Sequence, residues 1–249
     1  MRKTTRIIAT AAACLFFVFA PVFETGNGLM ATPANPHPSR KVIKSKSIEF
    51  EAEVTQLYQD ADLEASGLKR SVFEYAYKGY LYLLAQHRLT NSRVLSIVDF
   101  TQSSRNRRLY IIDLENKKVL INTFVAHGRK SGGEYAKSFS NSASSHKSSL
   151  GFYVTENTYV GKNGNSLRMR GLERGFNDRA ARRAIVVHGS KYVGDDFLET
   201  NAFIGRSFGC PAVPASEVDD VIDDIKGGSC FFIYYPEKRY LSTSKILNG

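Results

Sequence analysis

The chain has 249 residues, of which 43% are hydrophobic, so it can bury a sizeable core in one large domain with an extension. Its formal net charge is +10, but no nucleic-acid-binding motif accompanies that charge, so we expect no nucleic-acid partner. Past the first twenty residues, no stretch is apolar and long enough to cross a bilayer, which takes about 20 residues.

The N-terminus has the layout of a secretory signal peptide. Basic residues at positions 2, 3 and 6 precede an apolar core that runs from Ile7 to Ala20. We therefore predict a signal peptide at residues 1–20, export to the periplasm or cell envelope, and no stable membrane insertion after cleavage. Residues 21–47 are rich in proline and show no apolar period, which predicts a disordered tether.

Residues 48–92 have the pattern of an N-terminal helical extension. Apolar residues recur at the spacing of one helix face, namely Leu68, Val72, Tyr75, Ala76, Gly79, Tyr80, Leu83 and Leu84. Ser66 is a candidate cap at the start of this helix. We expect the face to pack on the domain that follows, and we favour this core role over a binding role.

Residues 93–240 alternate β-rich runs with turns. This pattern predicts one domain of the β-rich α+β class, with helices outside the sheet. The predicted strands are Val94–Phe100, Arg108–Leu114, Val119–Ala126, Phe152–Glu156, Tyr159–Met169 with an Asn163-Gly164 turn, Ile185–Val187 and Cys230–Tyr235. Asn177-Asp178 is a candidate cap for a helical turn at Arg179–Arg183, and Ser216 for a helix at Ser216–Lys226. A loop at Gly128–Ser149 holds eight serines, and a loop this long is typical of a functional segment.

Two segments carry the side chains suited to nucleophilic chemistry. His188 follows an apolar strand, and Cys210 stands in the sequence Ser207-Phe208-Gly209-Cys210-Pro211. A free thiol has a pKa of about 8.5, and a neighbouring imidazole or backbone N–H lowers it and so activates the sulfur. A Cys210–Cys230 disulfide is the structural alternative, but we favour Cys230 as a buried thiol in a core strand.

The pattern H-G-x(n)-S-x-G-C resembles the L,D-transpeptidase (YkuD-type) family, in the murein branch with an aromatic residue before Gly-Cys-Pro, and the resemblance covers roughly residues 70–236. It implies a curved β-sandwich with outer helices and a cysteine that attacks peptidoglycan stem peptides and is acylated by carbapenems. On this resemblance Cys210 is the nucleophile and His188, 22 residues ahead of it, is the general base. Gly209 would let backbone N–H groups face the developing oxyanion.

Further residues are candidates for substrate contact, and the chain departs from the family at two points. We assign substrate binding to Ser207, Arg206, His127 and Gly189. Phe208 stands where many members have a second histidine, which leaves His188 as the base and His127 as the runner-up. Pro211-Ala212 replaces a polar residue after the cysteine, and Arg206 could take over its contacts. The histidines lack the paired spacing of a zinc site, so we expect no metal and no cofactor.

Three functions remain open on this basis. The resemblance implies release of a terminal D-alanine from a tetrapeptide stem, a Cys210 thioester, and transfer to an amine that forms a 3→3 cross-link. Water in place of the amine would make the protein an L,D-carboxypeptidase. A non-catalytic peptidoglycan-binding module is the third reading, and in each case we expect a monomer.

Overall fold

The structure is a computed structural model that describes the backbone of residues 40–249 and the side chains of residues 47–249. The predicted signal peptide and residues 21–39 of the predicted tether lie outside the described residues. Helix α1 spans Arg40–Asp60, so it begins inside the stretch predicted as tether. The prolines of that stretch lie at or before position 38, and the residues that follow can continue a helix. Among the described helices, none is long and apolar enough to cross a membrane.

Helix α2, Arg70–Ala85, carries the predicted apolar face, and seven of its residues are buried: Val72, Phe73, Ala76, Tyr77, Gly79, Tyr80 and Leu83. Gly79 is needed because a Cβ there would lie 2.0 Å from Cζ of Phe152, a residue of the sheet. Leu84 is 38% exposed, whereas Phe73 and Tyr77 are buried although they were not predicted, so the buried face is rotated slightly from the predicted one. Ser66 does not cap the helix, since its hydroxyl donates to the Asp62 carbonyl and the N-cap residue is Lys69.

Eight strands form one mixed sheet in the order β3-β2-β1-β8-β4-β5-β6-β7. Neighbouring strands are antiparallel except for the parallel pairs β1/β8 and β6/β7. The strands are β1 Val94–Asp99, β2 Leu109–Asp113, β3 Lys118–Thr123, β4 Gly151–Gly161, β5 Gly164–Gly171, β6 Val186–Ser190, β7 Ala212–Pro214 and β8 Cys230–Tyr234. A short 3-10 helix covers Ala181–Arg183, and the outer helices are α3 Asp195–Thr200, α4 Val218–Ile225, α5 Lys238–Thr243 and α6 Lys245–Asn248.

The sheet curves until its two ends meet. Ala126, just after edge strand β3, forms an antiparallel bridge with Ala212 of the opposite edge strand β7. A backbone N–H of Ala126 donates to the Ala212 carbonyl at 2.8 Å, which satisfies groups that an open edge would expose. The result is a β-rich sheet that is nearly closed into a barrel-like sandwich with helices around it, and the predicted fold class is confirmed.

Several local predictions need correction. Strand β6 continues past His188 to Ser190 because His188 pairs with Ser166 of β5 and Gly189 pairs with Val213 of β7. Strand β4 is continuous across the predicted break, with a register shift between Thr155 and Thr158. The turn that follows uses Lys162 and Asn163, and Gly164 opens β5 at a φ of +78°. Ser216 does not cap α4, whose N-cap residue is Glu217.

The side chains of Asn177 and Asp178 do not form the predicted cap, and Asn177 belongs to a buried polar cluster with Glu173 that fixes the C-terminus. The Asn177 side chain accepts from the Glu173 N–H and donates to the Phe152 carbonyl, and Asp178 accepts from the Gly175 N–H. The Glu173 carboxylate accepts from the hydroxyls of Tyr240 and Ser244. These bonds tie α5 and α6, which the sequence pattern had not predicted, to the sheet.

Candidate active site

The Cys210 segment lies between two histidine-glycine segments. On one side, β6 runs parallel to β7, and His188 is paired with Ala212, two residues after Cys210. On the other side, the N–H of Ser207 donates to the His127 carbonyl at 3.0 Å, and Gly128 forms a bridge with Ser207. The closure of the sheet thus gathers the predicted nucleophile and both candidate bases, although they are far apart in the chain.

The Ser207–Cys210 turn is shaped by its own side chain and by a glycine. The Ser207 hydroxyl donates to the Cys210 carbonyl at 2.6 Å and accepts from the Gly209 N–H at 3.0 Å. Gly209 has a φ of +129°, and a Cβ there would lie 2.8 Å from the Lys147 carbonyl oxygen. The S-x-G-C sequence therefore builds a tight turn that presents the cysteine. Ser207 is 4% exposed with its hydroxyl used by the backbone, so its contacts differ from the predicted substrate contact.

The thiol of Cys210 is free and partly exposed. Its Sγ donates to the backbone carbonyl of Ala184 at 3.6 Å. The surrounding protein shields the Cys210 thiol from water, which raises its pKa. A hydrogen bond from the Val186 N–H and the positive charge of Arg183 act in the opposite direction. The net direction is upward, so the cysteine is a protonated thiol in this conformation. Cys230 is also free and fully buried in β8, so the alternative of a disulfide is not realised.

His188 is oriented by its neighbour along the strand. Its Nδ1 lies 2.9 Å from the Gly189 carbonyl oxygen, and a carbonyl can only accept, so Nδ1 carries the proton. This tautomer leaves Nε2 with a free lone pair, as a general base requires. Within residues 47–249, no hydrogen bond joins His188 to Cys210. The structure therefore places Cys210 in the turn before β7, next to the strand that holds His188, without linking their side chains.

His127 has an environment that is unfavourable for a general base at neutral pH. It is fully buried, and Nη2 of the equally buried Arg108 donates to its Nδ1 at 2.8 Å. Burial and the Arg108 charge lower the pKa of His127 to about 3. The imidazole is therefore neutral with its proton on Nε2, which has no partner among the described residues. Burial also lowers the pKa of Arg108, to about 9.

Gly189 and Arg206, which were also predicted to contact substrate, make contacts within the protein. A Cβ at Gly189 would lie 3.0 Å from Cγ1 of Val218, so this glycine allows β6 to pack against α4. Arg206 is exposed, and its Nη1 donates to the Gly132 carbonyl at 3.0 Å. Phe208 is 62% exposed, with the Arg129 guanidinium 4.6 Å from its ring centre. The aromatic ring beside the cysteine thus points to the surface.

The serine-rich loop lies against the cysteine turn. The Ser148 hydroxyl accepts from the Gly128 N–H at 3.0 Å and donates to the Gly209 carbonyl at 3.2 Å. Arg183, at the end of the 3-10 helix, donates to several oxygens of the same loop. A pocket of about 330 Å³ adjoins this region, and its lining includes His146, Arg183 and Phe208. Arg183 could not be identified from the sequence, because no pattern distinguishes it from Arg179 and Arg182 nearby.

The arrangement is that of a cysteine site. Across the described side chains, no group of three His, Cys, Asp or Glu residues gathers closely enough to hold a metal ion. A surface thiol on a glycine turn, an imidazole with a free Nε2 on the adjacent strand, and a nearby guanidinium are the components of nucleophilic sulfur chemistry.

A family model described as the L,D-transpeptidase catalytic domain matches residues 64–234. The chain therefore belongs to the L,D-transpeptidase catalytic domain family, and the predicted family is confirmed. A search of curated proteins found no match.

Two solved structures match part of this chain. An L,D-transpeptidase from Mycobacterium smegmatis has 10% identity and a TM-score of 0.37, with 57% of this chain and 59% of that chain covered. An L,D-transpeptidase from Xylanimonas cellulosilytica has 16% identity and a TM-score of 0.33, with 57% of this chain and 60% of that chain covered. The chain thus spans less than two thirds of the length of these proteins.

Proposed function

We propose that the protein is an exported cysteine acyltransferase that acts on peptidoglycan tetrapeptide stems. The observation that carries this proposal is the Gly209 turn, which presents the Cys210 thiol beside the strand that holds His188. Membership of the L,D-transpeptidase catalytic domain family supports the substrate class. The formal net charge of the whole chain is +10, and the predicted signal peptide holds only three of the basic residues and no acidic one. The positive charge that remains after export suits an anionic cell-wall polymer whose stems end in carboxylates.

In the first half of the proposed reaction, the Cys210 thiol gives its proton to Nε2 of His188, and the sulfur attacks the carbonyl before the terminal D-alanine. The protonated imidazole then gives that proton to the leaving amine, D-alanine departs, and a thioester remains on Cys210. In the second half, an amine of another stem attacks the thioester, a 3→3 cross-link forms, and the thiol is restored.

The resting geometry requires one change before this chemistry starts. The Cys210 Sγ is bonded to the Ala184 carbonyl, so it must turn away from that oxygen to reach His188. Rotation about the Cα–Cβ bond is a small motion, and hydrogen bonds of an unliganded active site are often long or misaligned. We propose that the bound stem displaces the thiol from Ala184 and that the Nδ1 bond to Gly189 keeps His188 in the accepting tautomer.

Fewer backbone N–H groups are available to stabilise an oxyanion than the sequence pattern implied. The Gly209 N–H already donates to the Ser207 hydroxyl, so it is not free to stabilise a developing negative charge. We propose the Cys210 N–H as the oxyanion donor, with Ser207 and Gly189 as positioning residues and Arg206 as a substrate-side cation. His127 supports the turn from its buried position instead of contacting substrate.

Hydrolysis of the same bond is the second candidate, and one observation favours it. Phe208 points to the surface, so it does not form the dry acyl pocket that would protect a thioester from water. An L,D-carboxypeptidase would release D-alanine and leave a tripeptide. The serine-rich loop against the cysteine turn supports transfer, because a cover over the acyl group excludes water and can hold an acceptor.

The test is incubation of the exported, processed protein with disaccharide-tetrapeptides, followed by mass spectrometry. Transfer predicts cross-linked dimers together with free D-alanine, and intact-mass analysis should detect a thioester on Cys210. Tripeptide as the sole product at high stem concentration would replace transfer with hydrolysis. Absence of both products and of the thioester, in protein whose fold is verified by circular dichroism, would leave a peptidoglycan-binding module.

A further inference from the structure

The side chain of Arg183 joins the serine-rich loop to the end of the 3-10 helix. Its Nη1 donates to the Ser140 carbonyl at 2.8 Å and to the Ser149 hydroxyl, and its Nη2 donates to the Lys147 carbonyl at 2.6 Å and to the Ser145 hydroxyl at 3.2 Å. All four acceptors belong to residues 140–149. One guanidinium therefore holds both ends of this part of the loop through its planar arrangement of donors.

The same guanidinium lies beside the cysteine turn. A Cβ on Gly209 would be 3.2 Å from Nη2 of Arg183, so the cation reaches the backbone next to Cys210. The acceptors of Arg183 named above are carbonyl and hydroxyl oxygens, which leave its positive charge uncompensated. Arg183 is half-buried, and a charge shielded from water acts more strongly on a neighbouring thiolate than an exposed one.

We propose that Arg183 is a positioning residue of the Cys210 site, where it fixes loop residues 140–149 over the cysteine turn and supplies the positive charge that stabilises the thiolate. Its role in acyl transfer rests on the proposed function, whereas its effect on thiol ionisation does not. His188 accepts the proton during the reaction, and Arg183 favours the charged sulfur that results.

The two parts of the proposal respond differently to substitution. Arg183→Gln removes the charge, so the Cys210 thiol should ionise at higher pH. Arg183→Lys keeps the charge but loses the planar fork, so ionisation should change little while the loop loosens. The Ser145→Ala/Ser149→Ala double variant removes two hydroxyl acceptors and leaves the charge in place. Arg182→Gln is the matched control, because Arg182 is the exposed neighbour on the same helix.

The experiment measures the rate of Cys210 alkylation by iodoacetamide as a function of pH in the full processed protein. Cys230 is fully buried and does not compete. The pH midpoint should rise by about one unit in Arg183→Gln, the lower end of the effect of a nearby opposite charge. It should stay at the wild-type value in Arg183→Lys, in the double serine variant and in Arg182→Gln. Hydrogen exchange of residues 140–149 should be faster in Arg183→Lys and in the double serine variant than in wild type.

A wild-type midpoint in folded Arg183→Gln would overturn the electrostatic part of the proposal, and unchanged exchange in Arg183→Lys would overturn the loop part. If Arg183→Gln does not fold, the alkylation midpoint of Arg183→Lys decides. A midpoint equal to that of wild type supports the charge role, and a fall or a large rise contradicts it. Alkylation needs no peptide substrate. An Arg183-dependent midpoint in a protein that never converts tetrapeptides would therefore refute the proposed function and leave this inference standing.

Discussion

The thiol of Cys210 donates a hydrogen bond to the carbonyl oxygen of Ala184, at 3.6 Å, and not to the imidazole of His188 in the neighbouring strand β6. Ala184 has a φ of +54°, in the left-handed region, at the junction between the 3-10 helix and β6. The carbonyl stabilises the protonated thiol, since a carbonyl can accept a hydrogen bond but cannot donate one to a thiolate. The bond to Ala184 thus favours the protonated form of Cys210 in this conformation.

Replacement of the two cysteines should separate chemistry from stability. Cys210→Ala should abolish acylation by a carbapenem and leave the free energy of unfolding almost unchanged, because this thiol is partly exposed. Cys230→Ala should cost about 1–2 kcal/mol of stability for a small buried truncation and leave acylation intact. Intact-mass spectrometry after carbapenem treatment and urea unfolding measure the two effects. Loss of acylation in Cys230→Ala at unchanged stability would reverse the two assignments.

The two histidines should also respond differently. His188→Ala should slow acylation by about 10²-fold or more, the usual size of a general-base contribution. His127→Ala should instead cost about 1–3 kcal/mol of stability, because it removes an acceptor of the buried Arg108 guanidinium. Stopped-flow acylation and urea titrations distinguish these outcomes. Equal rate losses in both variants, at equal stability, would contradict the assignment of His188 as sole base.

Gly209→Ala should inactivate the protein by moving the cysteine turn. The new Cβ would lie 2.8 Å from the Lys147 carbonyl in a backbone conformation that disfavours it, so the turn or the loop must shift. Gly164→Ala is the matched control, since Gly164 also has a positive φ but has no heavy atom within 4 Å of its Cβ position. Both variants carry backbone strain of about 1 kcal/mol, and only Gly209→Ala should also lose acylation. Parallel unfolding and acylation measurements that place the two variants together would contradict a role for the contact.

Much of the fold was predictable because burial imposes a period on the sequence. The apolar face of α2 and the continuous apolar run of β8 identify their elements without any tertiary information. The cysteine turn was recognisable from the S-x-G-C pattern at Ser207–Cys210 together with the His188-Gly189 pair. The bridge between Ala126 and Ala212 was not, because the meeting of two sheet edges depends on accumulated curvature and not on either local sequence.

The parts of the site that escaped prediction are polar contacts made across the fold. Arg108 is a fully buried arginine in a strand-like stretch, and charged residues are normally predicted at the surface. Burial and the charge of Arg108 together lower the pKa of His127, and neither could be predicted, so the sequence alone could not rank the two histidines as bases. The same holds for Ser207, whose hydroxyl bonds to its own turn, and for Arg183, whose partners lie 34 to 43 residues away.

The buried pair of His127 and Arg108 should make stability depend on pH in a predictable direction. The pKa of His127 is about 3 in the folded protein, below the ordinary value of 6.5, so the unfolded chain takes up this proton first as the pH falls. The stabilising effect is complete above about pH 6.5 and declines towards about pH 3, by at most about 1.4 kcal/mol per pH unit.

His127→Gln keeps an acceptor for Arg108 without titrating. The free energy of unfolding of wild type minus that of His127→Gln should therefore fall steadily between about pH 7 and about pH 4 in urea titrations. Taking the difference cancels the titration of Glu173 and Asp113, which is the same in both proteins. Burial raises the pKa of Glu173. Hydrogen bonds from Arg93 and Asn116 lower the pKa of Asp113 despite its burial. His146→Gln, at a less buried histidine, should show a much smaller slope. A difference that stays constant over this range would mean that His127 is not held neutral by its surroundings.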